Sequence, residues 1–522
     1  MTATSSDQRA EASTGPGDGL RKDLGFWSLT GVAFGGIIGS GWLFGAFYGA
    51  QAAGPAAVLS WVIAGAALTL VALVLVELGA GSPEAGGMVR WPLLANGPLA
   101  GSLIGWAILL ALASALAAEA SAIVQYANRY LPGLYTDSLT IAGKLAAAGV
   151  LALLVVLNWF GVKLFARLNL LVTSIKVLVP VLTIVALLVS SFHPGNVTTG
   201  GGLAPYGWSA ALTAIAGAGI VYTINGFAAP MELSAEARNP RRDIPRAVLT
   251  AIALSVVLYV LLQVTFVLAV PPESLGSGWR GLTFVSPFGE LALLLNLGWL
   301  AALIYADAVF SPWGSTYVFV ATGGRQTYAV SKNRALPRRF AEVDRRRGVP
   351  KNALLLNFVL SMVFLLPSGG WHEIIGVVGV LSLLTYSLCS IAAGTFHVAA
   401  PERLAGWVRG MRWIAPAGFV VATELIYWAS WKHLRVALPV LVLTVLLFAV
   451  LRRRELDLRV ELRTGAWLVA YLGWLVVLSG FGSFGGTQLI PLHWDTAVVA
   501  VCALLTYRWG VRSGAAFLGR VS

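Results

Sequence analysis

Long apolar runs separated by short polar turns make up most of this chain. Most runs reach the roughly 20 residues with which a helix crosses a bilayer's hydrocarbon core. They lie at 24–52, 55–79, 98–127, 139–157, 168–190, 208–235, 246–270, 289–322, 353–368, 371–397, 413–430, 434–451, 465–484 and 493–510. The pattern predicts an all-α polytopic membrane protein with about 14 transmembrane helices. Turn signals are fewest between 413 and 451, so boundaries there are the least sharp.

Two of the runs are interrupted. In the first, Gly35-Gly36-Ile37-Ile38-Gly39-Ser40-Gly41 places glycine at four of seven positions, each costing about 1 kcal/mol against alanine in a helix interior. A break here frees backbone groups that hydrocarbon tolerates only where they line a cavity or bind something. N–H groups from Ser40 onward would suit an anion, and carbonyls around Ile37 and Ile38 an ammonium or a metal cation. The plainer alternative is that the glycines only let helices approach closely. The sixth run repeats the feature in Gly217-Ala218-Gly219-Ile220-Val221-Tyr222-Thr223-Ile224-Asn225-Gly226-Phe227-Ala228-Ala229-Pro230, where Asn225-Gly226 is a turn dipeptide and Pro230 removes a donor. Interrupted spans one and six point to an inverted-repeat transporter with its site between the breaks.

Composition agrees with the membrane reading: 57% of the 522 residues are hydrophobic and 11% charged, against about 25% charged in soluble domains. The net charge of +13 would raise nucleic acid as a partner, but its distribution makes it an orientation signal. About 30 of the 36 Lys and Arg fall in the tails and even-numbered loops, which puts both termini in the cytoplasm. Cys389 and Cys502 lie in apolar runs and define neither a disulfide framework nor a metal motif. No cofactor is expected. Residues 1–22 have no apolar core and read as a disordered cytoplasmic tail.

At this point the residues resemble a family. Gly36-Ile37-Ile38-Gly39-Ser40-Gly41, Glu77-Leu78-Gly79 with Gly86-Gly87, and Asn158-Trp159-Phe160-Gly161-Val162-Lys163 are similar to the amino acid–polyamine–organocation permeases. So are Glu236-Ala237-Arg238-Asn239-Pro240 with Ile244-Pro245-Arg246, and Arg325, Tyr328, Asn333, Leu336-Pro337 and Gly348-Val349-Pro350. The matches run from about residue 24 to 397 in order. Within the family the chain looks most like bacterial aspartate–proton symporters, through Leu297-Gly298-Trp299-Leu300-Ala301, Asp307-Ala308-Val309-Phe310-Ser311-Pro312, Tyr427-Trp428-Ala429-Ser430-Trp431-Lys432, Gly482-Ser483-Phe484-Gly485 and two spans beyond the usual twelve.

The resemblance implies a LeuT-type fold in a bacterial inner membrane. Helices 1–5 (23–190) and 6–10 (208–397) would form inverted repeats, with peripheral helices 11–14 at 398–510 and a cytoplasmic C-tail at 511–522. Its implied substrate site comprises Ile37, Ile38, Gly39, Ser40, Gly41, Tyr222, Thr223, Asn225, Gly226 and Phe227. Backbone groups of Ser40 and Gly41 would take the carboxylate, and carbonyls near Ile37, Ile38 and Tyr222 to Asn225 the amine. Relatives often carry an acidic residue where this chain has Ala228, which argues against cationic substrates. Expected partners are a small-molecule amino acid, protons and the lipid bilayer.

Charges at membrane depth are few. Lys176 has apolar neighbours on both sides and costs roughly 2.5–3.5 kcal/mol on insertion scales, so it should face protein or water. In the family, a lysine at this place substitutes for the cation of sodium-coupled relatives, which implies proton coupling; a fixed structural charge is the alternative. Asp307 and Glu119 are read equally as proton relays or structural pairs. Glu232 is expected to be solvated at the cytoplasmic end. Trp42, Tyr222 and Phe227 flank the breaks and are candidate gates, whereas most of the 19 tryptophans read as interface anchors. Nothing inside the spans supports an enzyme or a channel filter. The reading is proton-coupled uptake of a small, acidic amino acid such as aspartate, with an amino-acid exchanger or a non-transporting sensor as alternatives.

Overall fold

The computed structural model describes residues 24–83, 86–160, 163–198, 201–333, 335–342, 350–452 and 458–521. The expected tail at 1–22, and the motif residues Gly161, Val162, Gly348 and Val349, lie outside them. Helices dominate: α1 (Phe26–Ile37), α2 (Gly41–Ala53), α3 (Ala57–Gly81), α4 (Gly87–Asn96), α5 (Pro98–Ala127), α6 (Ile141–Phe160) and α7 (Lys163–Ser190) come first. After them come α8 (Trp208–Gly217), α9 (Ile220–Ile224), α10 (Ala229–Glu232), α11 (Pro240–Ala269), α12 (Pro287–Leu294) and α13 (Gly298–Lys332). The chain closes with α14 (Lys351–Leu365), α15 (Trp371–Ala399), α16 (Met411–Trp428), α17 (Ser430–Arg452), α18 (Leu458–Phe481) and α19 (Leu492–Val521). Among the described residues no strand forms; two isolated bridges, Leu24 with Ala237 and Tyr135 with Leu139, are the only extended pairings.

A helix occupies every predicted run. By length and apolarity alone, 6 segments among the described residues can cross a membrane, or 7 if the bent pair Trp208–Gly217 and Ile220–Glu232 is one span. The molecule is therefore a multi-pass helical membrane protein. One large buried cluster makes up most of its core, with two small ones beside it, and α5, buried along nearly its whole length, forms its axis, packed against α13, α15 and α14.

Four local features depart from the predicted pattern. The sixth span bends by 50° at Ala218–Gly219, ahead of Asn225-Gly226. Gly219 has φ +81°, a conformation that side-chain-bearing residues disfavour, whereas Asn225 stays helical at φ −55°, ψ −26° and starts a tight turn through Ala228. Pro230 sits at the start of α10, where no N–H is needed. The eighth run is divided at Asn296, φ +58°, and its main helix continues to Lys332, so Arg325 and Tyr328 are helical rather than looped. The short α4 between the second and third spans was not predicted, and residues 511–521 continue α19.

Glu77, a residue of the family motif, has a structural role. Its carboxylate, 1% exposed, accepts the backbone N–H groups of Gly406, Trp407 and Val408, fixing the turn before α16 onto the end of α3. Glu77→Ala is expected to cost about 2–4 kcal/mol, since charge-assisted hydrogen bonds are worth about 1.5–3 kcal/mol each and part of the loss is recovered by water. A lower melting temperature with an unchanged substrate KM is the outcome to check.

Candidate functional site

The break in the first span is short. α1 ends at Ile37; Ile38, with ψ +88°, leaves the helix, and α2 starts after Ser40. Gly36 and the second interrupted span are in direct backbone contact: a Cβ at Gly36 would stand 3.1 Å from Gly226 Cα, and one at Gly226 would collide with Gly36 C and Ile37 N. Gly41 is packed against Thr223 just as closely, and a Cβ at Gly39 would reach 2.5 Å from Glu119 Oε1 and 2.6 Å from Ser315 Oγ. Here the glycines allow close approach and a chain break together, so the two readings of them are not exclusive.

Both breaks converge on one carboxylate. Ser40 N donates to Glu119 Oε2 at 2.9 Å, and Tyr222 Oη donates to Glu119 Oε1 at 2.6 Å. Glu119 is 1% exposed, so the N–H at the start of α2, free of any intrahelical partner, is satisfied by a protein anion. Trp371 Nε1 donates to Ser40 Oγ at 2.7 Å and its ring meets Tyr222 edge-on at 5.9 Å. Phe44 stacks on Trp371 at 4.7 Å. Trp371 was not singled out in the sequence, because a tryptophan at the start of an apolar run reads as an interface anchor.

Lys176 lies at the other end of the break. Its ammonium, 1% exposed, donates to Gly35 O at 2.8 Å, a carbonyl in the last turn of α1, and the charges of Glu119 and Asp307 both act on it. Asp307 Oδ2 accepts from Trp42 Nε1 at 2.9 Å and Ser311 Oγ at 2.7 Å, while Oδ1 is buried without a partner. The three expected coupling residues thus form one electrostatic group around the first break. Ile37 O, one of the carbonyls expected to face an amine, accepts from Tyr259 Oη at 3.0 Å and Gly39 N at 3.1 Å.

The candidate gates do not form one layer. Trp42 stacks on Phe288 at 5.8 Å, Tyr222 joins Glu119, and Phe227 packs against Tyr386 at 5.4 Å. Asn225 donates to Ser382 Oγ at 3.0 Å and accepts from Tyr386 Oη; Thr223 Oγ1 returns to Gly219 O at 2.8 Å. Glu232, expected to be solvated, is only 5% exposed. It lines a cavity of about 50 Å³ that begins at Asn225 and Gly226. The tight turn after Asn225 draws it inward, which a linear count of residues to the span end does not reveal.

Two interrupted helices meeting at a buried, charged centre within a multi-pass helical bundle are the arrangement of a membrane transporter. Comparison with known proteins identifies which kind. The amino acid permease family model matches residues 24–505, and the chain belongs to that family, within the amino acid–polyamine–organocation superfamily. It is 38% identical to the glutamate/serine transporter AimA of Bacillus subtilis (strain 168), over 95% of this chain and 94% of the relative. Identity to the aspartate-proton symporter of the same organism is 34%, over 95% and 97% of the two chains. The cationic amino acid transporter 4 of Homo sapiens is 28% identical over 74% of this chain and 62% of its own length.

Proposed function

We propose that the protein imports a small acidic or hydroxyl-bearing amino acid together with a proton, across a bacterial plasma membrane in which both termini face the cytoplasm. The convergence of Ser40 N and Tyr222 Oη on Glu119 carries this reading. In it, the carboxylate of Glu119 stands where the substrate's carboxylate binds, on the N–H groups that open α2. The two carboxylates compete for the same donors, so substrate enters as Glu119 turns away and takes up a proton. Lys176, on Gly35 O and within the field of Glu119 and Asp307, holds the charge balance of the break that a bound cation would otherwise supply.

The architecture proposed for this function is fourteen spans, the first ten forming two inverted five-helix repeats. Support comes from the packing of α3 against α11 and of α5 against α13, the pairs that such a relation exchanges. The names of the two B. subtilis relatives, one for glutamate and serine and one for aspartate with protons, support the substrate class. Uptake of labelled aspartate into sodium-free proteoliposomes with an imposed inside-alkaline gradient tests the reading, with glutamate and serine as competitors. Accumulation that a protonophore abolishes is expected. Exchange after preloading without net uptake would leave an amino-acid permease with the coupling wrongly assigned.

A further inference from the structure

The cavity that starts at the second break adjoins the hydrogen-bonded centre around Glu119, since Ala115, which lines it, is one helical turn from Glu119 on α5. Along α5 it is lined by residues from Ile108 to Ala115, and along α13 by Phe319 and Thr322. Glu119 and Asp307 contact the first break further along the same helices. At 1.5 Å per residue, the 15 positions from Asp307 to Thr322 on α13 span about 22 Å. The cavity therefore lies toward the end of the molecule where Arg325 pairs with Glu236 at 2.8 Å and Leu24 meets Glu236 and Arg238.

What the cavity offers a guest is one-sided. Its polar lining consists of Asn225, Glu232, Thr322, Ser382, Thr385 and Tyr386, and no Lys, Arg or His lines it. Three of the four lining hydroxyl protons are already used: Thr322 Oγ1 donates to Val318 O, Thr385 Oγ1 to Leu381 O, and Tyr386 Oη to Asn225 Oδ1, while Ser382 Oγ accepts from Asn225. Asn225 Nδ2 is likewise committed to Ser382 Oγ. Oxygen lone pairs remain, and above all Glu232 Oε2, buried with no hydrogen-bond partner although Gln326 lies beside Glu232. A site rich in acceptors, with no basic side chain in its lining and one carboxylate that feels the charge of Arg325 only from outside it, selects a cationic donor. A primary ammonium, with three N–H bonds and no acceptor, fits.

We infer that this cavity is a second, inner station for the substrate, in which Glu232 receives the amino group as the amino acid passes between the breaks and the Arg325–Glu236 end. The inference rests on the transport reading above. Glu232 is then a binding group for one face of the membrane only. It makes no contact with Ser40 or Lys176 and takes no part in the outer encounter.

The test is KM measured separately at each face, in proteoliposomes sorted for one orientation, for wild type, Glu232→Gln and Glu232→Asp. With Glu232→Gln, KM for transport from the Arg325 face should rise about tenfold, the loss of one charge-assisted hydrogen bond. KM at the opposite face should stay within about twofold, which also reports a folded protein. Glu232→Asp, which keeps the charge, should recover part of the loss. Unchanged KM at both faces, or an equal rise at both, overturns the inference. So does an altered pH dependence of uptake with both KM values intact, which would make Glu232 a proton site instead. If wild type moves no amino acid at all, the transport reading fails, and binding of ethanolamine as a bare primary amine decides the inference. Thermal stabilisation of wild type but not Glu232→Gln supports it, and no stabilisation of wild type overturns it.

Discussion

Proteoliposomes carrying Lys176→Ala are expected to equilibrate labelled aspartate but never to concentrate it under an inside-alkaline gradient. The ammonium is held on Gly35 O at 2.8 Å, and both Glu119 and Asp307 feel its charge. Removing one partner from a buried charge group costs about 3–5 kcal/mol, because the charges left behind have no water to turn to. Alanine therefore leaves two buried carboxylates without their common cation and Gly35 O without its donor. Lys176→Gln separates the two losses, since its amide can still donate to the carbonyl but carries no charge. Its folding should be near normal and its uphill uptake absent, while exchange between preloaded lumen and medium persists. Full accumulation by either variant, collapsed by a protonophore as in wild type, would remove Lys176 from the coupling.

Gly226→Ala should be severely damaging. A Cβ there meets the backbone of Gly36 and Ile37, which has no rotamer through which to give way, whereas at Gly35 it would meet only Val318 Cγ2, at 3.5 Å. Overpacking a core side chain typically costs about 1–3 kcal/mol; with backbone on the far side of the contact, the cost is expected at or above the top of that range. Little folded Gly226→Ala protein should survive size-exclusion chromatography, and any that does should melt several degrees lower and transport nothing. Gly35→Ala should fold and be active. Equal behaviour of the two variants would mean that the breaks need flexibility at these positions and not contact between them.

These two results bear on how much of the site the linear chain discloses. Gly35 and Gly226 look alike as glycines in interrupted spans, yet one faces a movable valine and the other a rigid backbone. In the sequence Glu77 reads as part of a family motif and Glu119 as an isolated acid in an apolar run. One holds a turn through three N–H groups, and the other joins the two breaks. Glu232 is a third case, withdrawn from solvent by a tight helical turn centred six residues earlier.

The sequence by itself determined the membrane class, the positions of the helices, the two interrupted spans and the membership of the amino acid permease family. Each of these is written in local information: the length of an apolar run, a cluster of helix-breaking glycines, a motif in order. Hydrocarbon makes that information unusually direct, because a span must be apolar and must satisfy its own backbone wherever protein or water does not. Tertiary structure alone decided which buried group meets which. Ser40 and Glu119 are 79 residues apart, Tyr222 and Glu119 103, and Ser40 and Trp371 331. Hydrogen bonds over such separations depend on how helices are packed and rotated, and a buried polar atom takes whichever partner that packing brings within about 3 Å.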